Sequence, residues 1–518
     1  MQRNWALACA FAVGAWLAAG SDSSTIASAA YEATGAPNVS LPTGIIQGAQ
    51  EGGLAVFKGI PFAAPPIGKL RWREPAPGTP WQGVRIATAF GNACIQTPGA
   101  SAEAGGDPGP LGEDCLYLNV WTPRADPSLR LPVMVWIHGG ALTLGSASVA
   151  LYDGAPLAKR GAVVVTFNYR LGALGFFAHP ALDQENHGQA INFGLLDQVA
   201  ALKWVRQNIG ALGGDPNNVT IFGESAGGQS VLALFASPLA RGLFNKGIAE
   251  SAYGLPSHPR DKARTSGIAV ATALGLNGAA ATLAELRAVP AEKFGSLNGS
   301  GLSLAPSFVV GDAALPKPIL DVFKEGGEAP VPLIIGNNSD EATVAIAFGI
   351  DPAKLVERMG LARIPLQSLY PGVTSNAELG RESVRDLIFT TFARRIAYNH
   401  SRKAPTWRYY FDYIPVELRG KEPGVPHGGE IAFVMGTGDL SPLAKDTFTD
   451  DDRAMSNRIG DYWITFARSG QPAPAGHAPW PHDGIDNAQT MIFGETIGAQ
   501  KDFMKARLDA FIALLLTL

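Results

Sequence analysis

Charged residues are scarce in this sequence, and it lacks any long basic run. Lysine, arginine, aspartate and glutamate make up 17% of the 518 residues, apolar residues make up 46%, and the net charge is −4. Without a basic patch or a stripe of aromatic and basic residues, nucleic acid is not an expected partner. The apolar content is typical of a globular chain with a large core and excludes an intrinsically disordered one.

A signal peptide is predicted at the N-terminus over residues 1–29. Arg3 supplies a positive charge, residues 5–19 are an apolar run and Ala27-Ser28-Ala29 is a suitable cleavage site, with a cut near Gly20 as the alternative. A membrane anchor is the competing interpretation, but the apolar run is shorter than the roughly 20 residues that a spanning helix needs. We therefore expect a secreted or periplasmic protein without stable membrane insertion.

Only three cysteines are present, and removal of a signal peptide would remove Cys9. The other two, Cys94 and Cys115, flank a loop rich in glycine and proline and have no partners at the spacing of metal ligands. In an exported protein such a pair predicts one disulfide, with two free thiols as the alternative. No metal or organic cofactor is expected.

Strands and helices alternate along the chain after about residue 115. Continuous apolar runs bounded by turn residues predict strands buried on both faces, as in a sheet covered by helices. Residues 192–214 have helical spacing and end at two glycines. The pattern predicts an α/β fold with a mostly parallel central sheet flanked by helices. The predicted strands lie within residues 131–140, 161–170, 218–222, 245–252, 331–337 and 407–414.

No linker divides the chain, so residues 30–518 are predicted to form a single domain. Two long segments, 255–330 and 340–400, are only weakly periodic. We interpret them as insertions that form a cap over the carboxyl edge of the sheet, since long excursions of this kind are often lids or binding walls. The sequence does not indicate an oligomeric state.

Ser225 lies at the junction of a predicted strand and a predicted helix, within the pentapeptide GESAG at residues 223–227. This G-x-S-x-G pattern is typical of a sharp, strained turn that projects a nucleophilic serine above a sheet. Glycines are expected there because side chains would collide across the turn. The start of the following helix directs backbone N–H groups to the same place. We therefore predict that Ser225 is a nucleophile rather than an ordinary turn serine.

A nucleophilic serine needs a histidine base, and four histidines follow residue 341. His427 lies in the Gly-rich loop GVPHGGEIAFV, where small neighbours leave the imidazole room to reach the serine. The other three, His400, His477 and His482, lie in a polar stretch or a Pro-rich run. His427 is therefore the predicted base, with a surface-loop histidine as the alternative.

The base in turn needs an orienting acid, which precedes the histidine along the chain in this kind of fold. Asp340 and Glu341 both follow the strand predicted at residues 331–337. Their spacing does not separate them, so the residues alone leave both open.

An oxyanion hole is predicted in the segment WIHGGAL, residues 136–142. It follows a predicted strand and carries almost no side chain at Gly139, Gly140 and Ala141, which suits backbone N–H groups that hold an oxyanion. The N–H of Ala226, directly after the nucleophile, would complete the hole. A plain Gly-rich turn is the alternative.

Taken together, the segments of this chain resemble the type B carboxylesterase family of the α/β-hydrolase superfamily, from about residue 40 to residue 500. Four segments carry the resemblance, and together they are far more specific than G-x-S-x-G alone. They are FKGIPFAAPPIGKLRW at 57–72, EDCLYLNVW at 113–121, GLLDQVAALKWVRQNI at 194–209 and GGDPNNVTIFGESAGG at 213–228.

The resemblance implies roles that the spacing did not decide. The family pattern G-x-N-x-x-E falls on Gly336, Asn338 and Glu341, which makes Glu341 the acid of a triad with Ser225 and His427. It also implies a Cys94–Cys115 disulfide. The remaining implied site residues are the oxyanion donors Gly140, Ala141 and Ala226, the neighbouring Gly139, and a buried supporting pair, Glu224 and Ser251.

Two departures from the family pattern concern substrate choice. Ala141 replaces the third glycine of the usual H-G-G-G run, which keeps the backbone N–H and adds a methyl group. Relatives with this kind of loop accept bulky alcohol groups. The loop between Cys94 and Cys115 contains no aromatic residue, whereas cholinesterases of this family hold a quaternary ammonium against a tryptophan there. A choline ester is therefore not the expected substrate.

The predicted function is that of a serine carboxylesterase, which hydrolyses short- to medium-chain or bulky-alcohol esters through an acyl-enzyme intermediate. The expected partner is a small-molecule ester. Two alternatives are a lipase-like interfacial esterase and a non-catalytic binding module of the same fold. The binding module would be expected to lack triad residues, all three of which are present here.

Overall fold

The computed structural model describes residues 35–99, 105–186, 191–256, 258–297, 307–440 and 446–515. The predicted signal peptide over residues 1–29, with both of its proposed cleavage sites, lies outside these ranges. The described residues from Ala36 onward belong to one compact unit. No helix within these ranges is both long enough and apolar enough to cross a membrane.

Eleven strands of the described residues form one mixed sheet. In chain order the strands of this sheet are β1 (Ala49–Glu51), β2 (Leu54–Pro61), β3 (Tyr117–Thr122), β4 (Leu131–Ile137), β5 (Val163–Phe167), β6 (Gly214–Glu224), β7 (Lys246–Glu250), β8 (Leu333–Asn338), β9 (Thr406–Phe411), β10 (Gln489–Phe493) and β11 (Ile497–Lys501). Their order across the sheet is β11-β10-β9-β8-β7-β6-β4-β5-β3-β2-β1. The seven strands from β10 to β5 in that order run parallel, and the strands beyond them are antiparallel to their neighbours. The prediction of a mostly parallel central sheet is thus confirmed.

Helices flank this sheet and fill the long connections between its strands. The α-helices of the described residues are α1 (Ala155–Lys159), α2 (Gly172–Gly175), α3 (Pro180–Asn186), α4 (Phe193–Asn208), α5 (Ala226–Ala236), α6 (Arg260–Ala273), α7 (Leu283–Ala288), α8 (Ala291–Gly295), α9 (Ile319–Glu325), α10 (Ala342–Ala347), α11 (Pro352–Arg358), α12 (Arg363–Ser368), α13 (Asn376–Arg385), α14 (Thr391–His400), α15 (Ile431–Met435), α16 (Asp450–Ser469) and α17 (Lys505–Leu515).

The central strands are buried on both faces, as their continuous apolar runs predicted. In β4, Val133, Val135 and Ile137 pack into one core layer, whereas Met134 and Trp136 pack into the layer on the other side of the sheet. Because successive side chains of a strand point to opposite faces, both faces must be apolar when helices cover both.

The helix predicted over residues 192–214 is shorter than expected at its C-terminal end. Helix α4 ends at Asn208, and a 3₁₀ turn, Ile209–Leu212, follows it. Gly213 then adopts a left-handed conformation with φ of 89°, which a glycine accommodates without a steric penalty. The predicted glycine stop is therefore present, and the last residues before it form a tighter turn.

The two predicted insertions are largely helical. Residues 255–330 contain α6 to α9, and residues 340–400 contain α10 to α14. A π-helical turn, Asp386–Thr390, joins α13 to α14. Such turns are rare and recur at functional sites. This one places a buried aromatic side chain, that of Phe389, against the imidazole of His427.

The apolar C-terminus forms α17, which packs on the second insertion. Leu508 and Phe511 are buried, and Phe511 shares a small core cluster with Val356, Tyr370 and Leu379. The helix itself lies against α14 and the π-helical turn, and Phe511 adds its side chain to this cluster of the second insertion.

One edge of the sheet collects the residues of chemical interest. The carboxyl ends of the adjacent strands β4, β6, β7 and β8 are followed by residues 138–141, Ser225, Ser251 and Glu341 respectively. Parallel strands end at the same edge, where ligands of open α/β sheets bind.

Candidate active site

Ser225 occupies a strained corner between β6 and α5. Its backbone φ and ψ are 58° and −120°, a conformation that non-glycine residues rarely adopt. Its N–H donates to the carbonyl of Glu250 at 2.9 Å, and its own carbonyl accepts the N–H of Gln229 at 2.8 Å. The surrounding backbone thus holds the corner in a conformation that the isolated residue would avoid.

Glycines surround Ser225 because neighbouring backbones approach too closely for any side chain. A Cβ atom on Gly227 would lie 2.0 Å from the carbonyl oxygen of Ile137, and one on Gly223 would lie 2.4 Å from the same atom. A Cβ atom on Gly228 would lie 2.3 Å from the carbonyl oxygen of Glu250. Helix α5 therefore packs directly on β4 and β7, which turns the serine toward the carboxyl edge of the sheet.

Glu341 and His427 form a hydrogen-bonded acid–base pair. The ring N–H at Nδ1 of His427 donates to Oε2 of Glu341, which is fully buried. The other carboxylate oxygen accepts the backbone N–H of Asn338 at 2.7 Å and the hydroxyl of Ser251 at 2.6 Å. Three donors therefore fix the orientation of the Glu341 carboxylate.

Asp340 points away from this pair. Its carboxylate forms an ion pair with Arg381 of α13, and its backbone N–H donates to the carbonyl of Val425 at 2.9 Å. Of the two acids that the residue spacing left open, the structure brings Glu341 to His427 and Asp340 to Arg381.

The imidazole of His427 is held in a strongly acidic environment. Burial lowers its pKa, but the negative charges of Glu224, Glu341 and Glu430 outweigh that effect and raise the pKa to about 9. Its Nε2 atom lies 3.2 Å from Oε1 of Glu224 and makes no hydrogen bond within the described residues, to Ser225 or to any other group. Catalytic hydrogen bonds are often long in unliganded enzymes and shorten when substrate binds.

Four buried glutamates form a cluster here: Glu224, Glu341 and Glu430 act on His427, and Glu250 interacts with Glu430 and Glu224. Burial raises the pKa of Glu224 to about 8 and that of Glu430 to about 7, and it raises the pKa of Glu250 well above its usual range. Neighbouring carboxyls add to this effect, because like charges disfavour ionisation: Glu430 and Glu341 raise the pKa of Glu224, and Glu430 and Glu224 raise the pKa of Glu250. The site can therefore hold protons at neutral pH on carboxyl groups as well as on His427.

Glu250 and Glu430 were not among the predicted site residues. Glu250 accepts the indole N–H of Trp463 at 2.8 Å, and Glu430 accepts the side-chain amide of Asn338. The available signals were their positions, one directly before Ser251 and the other three residues after His427. Neither position reveals burial until the strands are assembled.

Glu224 and Ser251, the implied supporting pair, are both buried, but they contact different groups. Ser251 has φ of 50° and bonds to Glu341 at 2.6 Å and to Glu430 at 3.3 Å. Glu224 approaches Nε2 of His427 instead. They therefore act on the acid–base pair from opposite ends, one at the acid and one at the base.

The segment after β4 packs on the corner at Ser225. A Cβ atom on Gly139 would lie 3.2 Å from Cβ of Ser225, and Gly140 and Ala141 both have positive φ, at 101° and 52°. Within the described ranges, the backbone N–H groups of Gly140 and Ala141 donate no hydrogen bond to the backbone. Ala226 begins α5, so its N–H also has no partner within the helix.

Cys94 and Cys115 form a disulfide, with their Cα atoms 5.0 Å apart. The predicted pairing is therefore present. The free-thiol alternative is excluded. Within the described ranges, no group of three histidine, cysteine, aspartate or glutamate side chains has the geometry to hold a metal ion.

Comparison with known proteins identifies the relatives of this chain. The sequence model of the carboxylesterase family matches residues 35–363 and 373–511. Para-nitrobenzyl esterase of Bacillus subtilis (strain 168) is 38% identical over 488 residues, which cover 90% of this chain and 96% of the relative. Fumonisin B1 esterase of Sphingopyxis macrogoltabida is 35% identical over 495 residues, which cover 88% and 86% of the two chains.

Solved structures agree with the sequence relatives. A PNB esterase structure superposes with a TM-score of 0.78 at 36% identity and covers 92% of this chain and 99% of its own. A carboxylesterase of Geobacillus stearothermophilus superposes with a TM-score of 0.81 at 30% identity and the same coverage. The chain has the α/β-hydrolase fold, belongs to the carboxylesterase family and is a carboxylic ester hydrolase.

Proposed function

We propose that this carboxylesterase hydrolyses its substrates through Ser225, His427 and Glu341. The observation that carries the proposal is the strained, glycine-packed corner of Ser225 at the same sheet edge as a buried Glu341–His427 pair. A strained serine corner is costly to keep, and it persists where the strain serves a function.

In this mechanism Nε2 of His427 takes the proton of the Ser225 hydroxyl as the oxygen attacks the ester carbonyl. The backbone N–H groups of Gly140, Ala141 and Ala226 stabilise the tetrahedral oxyanion. When the oxyanion collapses, His427 gives the proton to the alcohol, which leaves an acyl-serine. Water then repeats the attack with the same base, releases the acid and restores Ser225, while Glu341 stabilises the imidazolium.

The side chains around the base favour an apolar substrate group. The ring of Phe389 lies 5.4 Å from the imidazole of His427, and the ring of Tyr253 lies 6.4 Å from that of Phe389. These aromatic rings offer an apolar wall beside the reacting atoms. The proposed substrates are therefore short- to medium-chain esters or esters of bulky alcohols, in line with relatives named for p-nitrobenzyl and fumonisin B1 esters.

The test is hydrolysis of a series of p-nitrophenyl esters of increasing acyl length by the wild type and by Ser225→Ala. We expect the wild type to cleave the shorter members and the variant to lose at least about 10³-fold in kcat, because the acyl-enzyme cannot form. A variant that retains its rate would refute the mechanism.

A specific observation favours the lipase-like alternative as a second candidate. The segment directly after Glu341 exposes an unusual number of large apolar side chains, and such surfaces mark contact with apolar partners. An esterase acting on aggregated substrate should show a jump in rate when the ester exceeds its solubility limit. A single hyperbolic curve across that limit would exclude this candidate. The exposed side chains are Ile346, Phe348, Leu355, Met359, Leu361 and Ile364.

We also propose that residues 1–29 are a signal peptide and that residues 30–518 are the exported single domain. The disulfide supports export, since such bonds persist in oxidising compartments. Mass spectrometry of the protein secreted by a host would test this: a mature N-terminus near residue 30 or residue 21 is expected, and an intact N-terminus would contradict it.

A further inference from the structure

The hydroxyl of Thr343 bridges the acid and the base of the proposed triad. Thr343 lies two residues after Glu341, in the first turn of α10. Its Oγ1 accepts the backbone N–H of His427 at 2.9 Å and donates to the backbone carbonyl of Asp340 at 2.9 Å. One side-chain atom therefore joins the main chain of the base to the main chain next to the acid.

Only a hydroxyl can make both bonds from one atom, because it combines a donor with acceptor lone pairs. The N–H of His427 needs such a side-chain partner, since the residue belongs to neither a helix nor a strand. It lies in a turn, and the next residue, Gly428, has φ of 77°. The regular backbone ladders that fix Ser225 are thus not available to His427.

The other hydrogen bonds from the acid loop, residues 338–343, to the main chain of the base loop, residues 424–430, stop before His427. The hydroxyl of Ser339 accepts the N–H of Val425 at 2.8 Å, and the amide of Asn338 donates to the carbonyl of Pro426 at 2.9 Å. These bonds hold the two residues before His427. The bond from Thr343 extends this row of hydrogen bonds to His427 itself.

We propose that Thr343 is a positioning residue for His427, which makes the acid loop and the base loop move as one unit. The proposal rests on the triad proposed above. Glu341 holds the imidazole of His427 at Nδ1, and Thr343 holds the main chain of His427. Together the two contacts direct Nε2 toward the corner at Ser225. A displacement of about 1 Å in such a group costs up to about 10²-fold in rate.

The matched substitutions are Thr343→Val, which keeps the shape and removes both bonds, and Thr343→Ser, which keeps the hydroxyl. Thr406→Val is the control. Thr406 is a buried threonine at the amino end of β9, away from the carboxyl edge of the sheet, and its hydroxyl donates to the carbonyl of Ala404 at 3.0 Å. Rates should be divided by the concentration of sites titrated with an organophosphate, so that only folded enzyme is counted.

We expect Thr343→Val to lower kcat for a p-nitrophenyl ester by about tenfold to a hundredfold, with KM within about twofold of the wild type. Thr343→Ser and Thr406→Val should stay within about threefold in both constants. Should the valine variant not accumulate as folded protein, Thr343→Ala removes the same two bonds without adding bulk.

Three results would overturn the proposal: an unchanged kcat in Thr343→Val, a serine variant as slow as the valine variant, or a change confined to KM. The Ser225→Ala variant keeps the two proposals apart. If it remains active the triad itself fails, whereas an inactive Ser225→Ala beside a fully active Thr343→Val refutes only the role of Thr343.

Discussion

The two halves of the proposed catalytic machinery are held by different means. The nucleophile corner, residues 223–228, is fixed by backbone hydrogen bonds and by the absence of side chains at three glycines. The base loop, residues 424–430, has one backbone bond to the acid loop, from Asp340 to Val425, and is otherwise held by side chains, with Ser339, Thr343 and Glu341 bonded to it. The corner depends on the lack of side chains at its glycines. The base loop depends on polar side chains that are far from it in the sequence.

This difference explains how each region responds to change. A corner built by close backbone contact tolerates no added atoms, so its substitutions should act on folding. A loop held by hydrogen-bonding side chains can lose one bond and still fold, so its substitutions should act on rate. The substitutions below test that division, beginning with the largest expected effect.

Loss of the acid should have the largest effect and should act on rate alone. In Glu341→Gln the base loses its orienting charge, and we expect kcat to fall about 10⁴-fold, as when a triad carboxylate is neutralised. Asp340→Asn, which loses only the ion pair with Arg381, should stay within about tenfold. Steady-state kinetics of both variants decide this, and a greater loss in Asp340→Asn would reverse the assignment of the acid.

Added bulk at the corner should act on folding. In Gly227→Ala the new Cβ would lie 2.0 Å from the carbonyl oxygen of Ile137, and we expect the free energy of unfolding to fall by about 3 kcal/mol or more. Gly210→Ala, where nothing lies within 4 Å of the new atom, should be neutral or slightly stabilising. Thermal unfolding midpoints compare the two, and a Gly227→Ala protein as stable as the wild type would contradict the account of the corner.

Removal of the negative charge of Glu224, beside the proposed base, should shift the pH dependence of kcat/KM. In the proposed mechanism His427 can accept a proton only when neutral, and its pKa, raised to about 9, means that kcat/KM should rise with pH up to about that value. In Glu224→Gln a negative charge that stabilises the imidazolium is lost, so the pKa falls and the rising limb should move about one unit to lower pH.

The control for that shift is Glu325→Gln, which removes a charge from an exposed ion pair with Lys317 and should leave the limb in place. Profiles of kcat/KM against pH provide the measurement. A limb that moves to higher pH in Glu224→Gln would show that Glu224 does not stabilise the charged form of His427.

The smallest expected effect concerns backbone strain beside the corner. Ala141 has φ of 52°, so Ala141→Gly should raise the free energy of unfolding by about 0.5–1 kcal/mol. Ala362→Gly, at an exposed position with φ of −65°, should lower it by a similar amount of about 0.5–1 kcal/mol. Denaturant midpoints of the two variants should therefore differ in sign, and equal signs would argue against strain at Ala141.

The same difference between the corner and the base loop determines how much of the site could be predicted from the sequence alone. The α/β-hydrolase fold, the carboxylesterase family and the Cys94–Cys115 disulfide were predicted and are confirmed. The corner was recognisable because its information is local: a strand, a glycine, Ser225 and two more glycines within a few residues. The roles of Ser225, Glu341, His427 and the oxyanion donors stay predictions, although the geometry brings these residues to one sheet edge.

The base loop carried no comparable local signal. Thr343 is 84 positions from His427 along the chain. Glu250 is 213 positions from Trp463, whose indole N–H it accepts. Hydrogen bonds of this kind depend on the folded arrangement of loops, and a single sequence shows only that polar residues are present. The choice of Glu341 over Asp340 as the acid likewise needed the family pattern. Two neighbouring acidic residues at a strand end are equally good candidates until the positions of their side chains are known.

The four buried glutamates also matter after the ester bond has been cleaved. The ester group is neutral, whereas the acid released from it is an anion at pH 7. Each ionised carboxylate of this cluster repels that anion, and the anion in turn makes ionisation of Glu224 and Glu430 less favourable. Above about pH 8, where Glu224 is ionised, we therefore expect the acid product to inhibit the wild type more weakly than Glu224→Gln. Such a difference would mean that the site discriminates by charge between the ester that enters and the acid that leaves.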